Sequence, residues 1–205
     1  MFPESKKINE ISKKIVSDWH IIEDNILSLN DALSKMSNIN KSDIYYHIEL
    51  LSLINTALWH EEDKARDPDA DDSNIADVKR KIDKLNAMRV NKVEEIDKVL
   101  YQSNRINNEA PINSETVASI IDRLSILALK KYHMEYEANR KDAPGELRNK
   151  CAQKLIMING QLIDLTNAYD QLIEDIKSGS RRYALYGQFK MYNDPELNPA
   201  IYKKS

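Results

Sequence analysis

Cysteine, glycine, proline and phenylalanine are all scarce: one Cys, four Gly, six Pro and two Phe in 205 residues. A lone cysteine, Cys151, forms no intramolecular disulfide, so a disulfide-held scaffold is excluded and a reducing compartment is expected. So few glycines and prolines exclude collagen-like and Pro/Gly-rich disordered chains. They also supply too few turns for a sandwich or barrel, which needs one about every 8–12 residues. No apolar run approaches the ~18 residues of a transmembrane helix, and no apolar h-region follows the first seven residues. A cytoplasmic location without a transmembrane segment is therefore expected. The formal charge is -3 and the isoelectric point is near 5.9. Basic residues occur as scattered pairs, such as Lys13/Lys14 and Arg181/Arg182. Without a basic stripe, nucleic acid is not an expected partner. No Gly-rich phosphate loop is present either.

What the chain does have is 41% hydrophobic and 31% charged residues, arranged with helical periodicity between the prolines. Ile8, Ile11, Ile15, Trp19, Ile22, Ile26, Leu29, Leu33 and Met36 recur at spacings of three and four, predicting one amphipathic helix over about 5–36. Ser42, followed by Asp43, is the expected cap of a second helix running to about residue 66. Pro68 closes that helix in an acidic turn, and Ser73 is the expected cap of a third, carried by Ile75, Val78, Ile82, Leu85, Val93, Ile96 and Leu100. A fourth helix, about 114–140, is apolar on two sides and is expected at the centre. A fifth, beginning after Pro144, carries a regular stripe from Leu147 to Ile176 and should stop at Ser178–Gly179. The expected fold is a single all-α domain, an up-and-down bundle of about five long antiparallel helices. Residues 1–41 form the first helix and a linker, 42–178 the four core helices, and 179–205 an irregular, aromatic-rich tail packed across the bundle, with room for a short helix over 181–189.

Sliding the chain by 73 residues lays the second helix on the fourth. Ile48/Ile121, Leu51/Leu124, Ser52/Ser125, His60/His133, Glu62/Glu135 and Ala65/Ala138 coincide, and Trp59 meets Tyr132. An internal duplication of the helical hairpin is one reading, and two amphipathic stripes falling into phase is the other.

Several polar residues interrupt or border the apolar faces: Asn55, Trp59, Glu62 and Arg66 on the second helix; Asp83, Asn86 and Arg89 on the third; Asp122 and His133 on the fourth. A buried charge is costly unless paired and hydrogen-bonded. Glu62, Arg66, Asn86, Arg89, Asp122 and His133 are thus expected to meet between helices, as a structural lattice or as a binding pocket. For metals, the Glu-x-x-His signature of di-iron bundles is absent. A divalent metal remains a candidate cofactor, with His60, His133 and Glu62 as the residues to hold it. Glu62/Asp63 and Glu94-x-x-Asp97 also bear a faint likeness to the acidic, Mg²⁺-binding clusters of all-helical nucleoside triphosphate pyrophosphohydrolases.

Four stretches resemble a bacterial family of helical proteins catalogued as domain of unknown function 4254. The first is Leu58-Trp59-His60-Glu61-Glu62-Asp63 with Arg66-Asp67-Pro68, and the second Ile82-Asp83-Lys84-Leu85-Asn86 with Arg89. The third runs from Ile121-Asp122-Arg123 through Lys130 to Tyr132-His133-Met134, and the fourth is Lys190-Met191-Tyr192-Asn193-Asp194-Pro195. The resemblance implies no activity. It adds Asp63, Arg123, Lys190, Tyr192, Asn193 and Asp194 to the candidate residues, the last four as a lid over the bundle end. Three functions stay open: a small-molecule or partner site in the polar network, a metal-dependent hydrolase of a phosphorylated or sugar-nucleotide substrate, and an adaptor that binds another protein or its own copy.

Overall fold

The computed structural model describes residues 1–26, 28–37, 39–187 and 194–202, except the side chains of 201 and 202. The chain is an all-α bundle of α1 (Ser5–Ile22), α2 (Leu29–Met36), α3 (Ile44–Lys64), α4 (Asp72–Ser103), α5 (Val117–Asn139) and α6 (Gly145–Ser178), with a one-turn α7 (Pro199–Tyr202). Most starts are capped by side chains. Asp43 accepts from the Tyr45 N–H, Asp71 from Asn74 and Thr116 from Ser119, each satisfying a backbone donor that the helix leaves free. Pro68, Pro111 and Pro144 lie in the connections, as expected. α6 ends where Gly179 takes a left-handed φ of 77°, a conformation that glycine adopts without penalty.

The first apolar stripe does not form one helix. α1 stops at Ile22, a 3₁₀ turn covers Glu23–Asn25, and Ser28 caps α2 by accepting from the Asp31 N–H. Asp24 and Asn25 have short polar side chains of the kind that compete with the helical backbone for its own hydrogen bonds. The three-four spacing continues because α2 returns to the same core, where Ala32, Leu33 and Met36 are buried. Nor is there a helix over 181–187. That segment runs extended beside the α4–α5 loop, with Arg182 N–H donating to Pro111 O at 3.0 Å and Asn113 N–H to Arg182 O at 2.6 Å. It delivers Tyr183, fully buried, edge-on to Tyr101.

α5 packs against α1, α3, α4 and α6, the central place that two apolar faces require. α1 and α3 run in the same direction: Ser12 Oγ lies 3.1 Å from Ser52 Oγ, and eight residues later on both helices His20 meets His60. α5 shares this direction, since Asn55 donates to Ser125 Oγ at 2.6 Å and His60 meets His133. Ser12, Ser52 and Ser125 are all buried, and such small side chains let the three backbones approach closely. The bundle is therefore built on three parallel helices, with α4 and α6 as returns.

Asp97 on α4, 5% exposed, reaches across to accept the Ala118 N–H at 2.9 Å. Burial pushes its carboxyl up to about 6, against hydrogen bonds from Thr116 and Ala118 that pull it down. A folded-state value above the unfolded 3.8 makes its contribution to stability complete below about pH 4 and lost as pH rises through about 6, a swing of up to about 3 kcal/mol. Asp97→Asn retains the acceptor and removes the charge. Its unfolding free energy should exceed wild type by about 1–2 kcal/mol at pH 7 and vary less between pH 4 and 7. Denaturant titration at both pH values reads this, and an unchanged pH dependence would contradict it.

Candidate functional site

Two features share one end of α3. The first is a groove of about 310 Å³ between α3, α4 and α5, lined by Asn55, Leu58, Trp59, Glu62, Asp63, Arg66, Asn86, Arg89, Ile126 and Leu129. Beneath it, the buried Asn55 amide donates to Asp122 Oδ1 at 2.8 Å as well as to Ser125. Burial pushes the Asp122 carboxyl above its usual range, against the opposing pull of the Asn55 hydrogen bond and of the Arg89 charge. At the rim Glu62 and Arg66 pair at 2.7 Å, one helical turn apart. The spacing thus assembles guanidinium, carboxylate and amide groups over an apolar floor, within the size range of small-molecule sites.

The second feature is a cluster of His20, His60 and His133, from α1, α3 and α5. One nitrogen from each ring lies within 4.8 Å of the others. Each ring stacks on an aromatic residue that precedes another histidine of the set. Trp19 stacks on His60 (5.5 Å, 21°), Trp59 on His133 (4.6 Å, 4°) and Tyr132 on His20 (4.5 Å, 28°). His20 Nδ1 lies 2.8 Å from Val16 O. A carbonyl only accepts, so Nδ1 carries a proton, and in the neutral ring Nε2 keeps its lone pair. His60 Nδ1 stands 3.8 Å from Glu23 Oε2. The Nε2 atoms of His60 and His133 are buried without a hydrogen-bond partner among the described residues. Leaving such a group unsatisfied costs about 1–3 kcal/mol. Burial first, then the neighbouring His20 and His60 rings, holds His133 down at about 4. Burial and His20 likewise lower His60, against the pull of Glu23 and Asp63. Both rings are neutral at pH 7.

His133 thus joins the other histidines rather than lining the groove, to whose wall it is linked by the stacked Trp59. His60 instead lines a different groove of about 580 Å³, together with Glu23, Glu61, Lys64, Lys81 and Lys84. Asp83 does not face the α3/α4/α5 groove: it is exposed and ion-paired with Lys79. Arg123 is also exposed, 4.0 Å from Glu115. Asp194 closes a turn by accepting the Glu196 N–H at 2.9 Å, while Lys190, Tyr192 and Asn193 fall outside the described residues. Glu94 and Asp97 line a separate cavity with Leu185 and Tyr186. Among the described residues they form no ion-holding group with Glu62 and Asp63; the histidines alone form one.

His20 is the residue that comparing α3 with α5 misses. Its signal is in the sequence: a serine, six residues, an aromatic residue and a histidine recur as Ser12…Trp19-His20, Ser52…Trp59-His60 and Ser125…Tyr132-His133. Serines and histidines form two layers about 12 Å apart, given eight residues at 1.5 Å rise.

Among the described residues no helix is long and apolar enough to cross a membrane. No curated protein and no solved structure gives a significant match. A family model described as protein of unknown function (DUF4254) matches residues 46–185, a span that includes the groove, most of the extended segment after α6 and two of the three aromatic-histidine pairs. With that model covering more than half its length, the chain belongs to the DUF4254 family.

Proposed function

We propose that this protein binds a small, hydroxyl-rich molecule carrying an anionic group, a sugar phosphate or nucleoside diphosphate sugar by class, in the groove between α3, α4 and α5. The observation that carries the reading is the Asn55–Asp122 pair beneath Arg89, with Trp59 in the wall. A carboxylate and amides accept and donate to hydroxyls, and a guanidinium suits phosphate. Trp59 adds an apolar surface for a sugar face. A reducing, cytoplasmic setting agrees with the single cysteine. The test is calorimetric titration with a panel of sugar phosphates and nucleoside diphosphate sugars. At least one should bind, and Arg89→Ala should weaken it about 10–100-fold, the loss of a charged hydrogen bond. No binding by any member, or equal binding by the variant, would contradict the reading.

One observation favours a protein partner as well. Ile156 and Ile163, two turns apart on one face of α6, are 72% and 61% exposed, an apolar stripe of the kind that partners cover. If a second copy is that partner, sedimentation gives a mass above 23.7 kDa that falls to the monomer value in Ile156→Lys/Ile163→Lys. A monomeric wild type would exclude the homo-oligomer.

A further inference from the structure

We propose that His20, His60 and His133 form a three-imidazole site for one divalent transition-metal ion, zinc by preference. The site is independent of the ligand proposed for the groove. Its first support is geometric. Three nitrogens already stand within 4.8 Å of one another, and a tetrahedral Zn–N bond of about 2.0–2.1 Å needs them about 3.3 Å apart. Small side-chain rotations cover that difference. The second support is chemical. His60 and His133 bury Nε2 atoms that nothing among the described residues satisfies, and His20 presents Nε2 because Nδ1 is committed to Val16 O. A metal-binding histidine has the same arrangement, one nitrogen on the ion and the other held by a carbonyl or carboxylate. Glu23 Oε2, 3.8 Å from His60 Nδ1, would fill the carboxylate role on closing to hydrogen-bond distance.

The donor set selects the ion. Imidazole nitrogens suit zinc, copper, iron or nickel, whereas magnesium and calcium require oxygen. Three protein ligands leave a fourth position for water or a ligand atom, as in catalytic rather than structural zinc sites. His60 and Glu23 line the 580 Å³ groove, which sets the site beside a solvent-open space. With Lys64 paired to Glu61 in the same groove, Lys81 and Lys84 remain to favour an anionic group beside it.

The fold also holds the site in place. The ring planes are set by Trp19, Trp59 and Tyr132, and the spacing of the helices is set by the serine layer.

The test uses the full chain, treated with a chelator and then titrated with ZnCl₂ by calorimetry and with CoCl₂ by visible absorption. One ion per chain should bind, and Co²⁺ should show the intense d–d absorption of four-coordinate geometry. His20→Ala, His60→Ala and His133→Ala should each weaken Zn²⁺ binding by more than about 100-fold, since loss of an outer-shell partner alone costs about 10–100-fold. Glu23→Gln should weaken it by about 10-fold. Helix content by circular dichroism accompanies each variant. Where His133→Ala does not fold, His20→Gln, at a partly exposed position, decides instead. Absence of saturable binding to the wild-type chain, or wild-type affinity in a folded His20 variant, overturns the site.

Discussion

Adding Zn²⁺ at about 100 times its dissociation constant should raise the melting temperature of the chelator-treated protein by about 5–10 °C. An ion that binds only the folded state stabilises it by about 2.7 kcal/mol at that excess, and a chain of this size gains about 2–4 °C per kcal/mol. The folded state alone offers the site because the three ligands come from α1, α3 and α5, up to 113 residues apart from His20 to His133, so the full linkage term applies. Mg²⁺ at the same concentration should shift the midpoint by less than about 1 °C, because nitrogen donors hold it poorly. His20→Ala should abolish the Zn²⁺ shift. Differential scanning calorimetry with and without chelator reads all three, and an equal shift from Mg²⁺ would point to carboxylates.

Ser52→Leu should destabilise the fold by about 1–3 kcal/mol and also weaken Zn²⁺ binding, although the substitution lies about 12 Å from the ion. Ser52 is 2% exposed and its hydroxyl touches Ser12 on the neighbouring helix. A leucine has no room there, so α1 and α3 must separate or rotate, and His20 and His60 move with them. Ser52→Ala is the control. It loses one hydrogen bond, about 1 kcal/mol, but keeps the spacing and should keep Zn²⁺ affinity within about threefold. Equal affinity in Ser52→Leu and wild type would show that the serine layer does not set the histidine spacing.

The helix starts and stops were legible where local chemistry decides them. Pro68, Pro111 and Pro144 cannot continue a helix, Gly179 can end one, and the two-sided α5 had to be central. The break at Glu23–Asn25 was not legible, because α2 packs on the same core as α1 and so preserves the three-four spacing that a straight helix would show. The groove residues were legible because Asn55, Arg89 and Asp122 stand among apolar neighbours. Asp83 and Arg123 are beside that face in sequence but turned by about 100° per residue from it, and both side chains point to solvent. The histidine centre was half legible. His60 and His133 emerge from one internal offset, whereas His20 requires a different offset, of 40 residues, set by the returning α2. Periodicity describes which face a residue occupies, and only tertiary packing decides which faces meet.

X-ray absorption at the zinc edge, on the full-length protein carrying one equivalent of Zn²⁺, tests the three-histidine centre most directly. The predicted spectrum has three imidazole nitrogens at about 2.0–2.1 Å, with their outer-ring scattering, and one oxygen. A first shell of oxygens alone, such as Glu62 and Asp63 would supply, would contradict it.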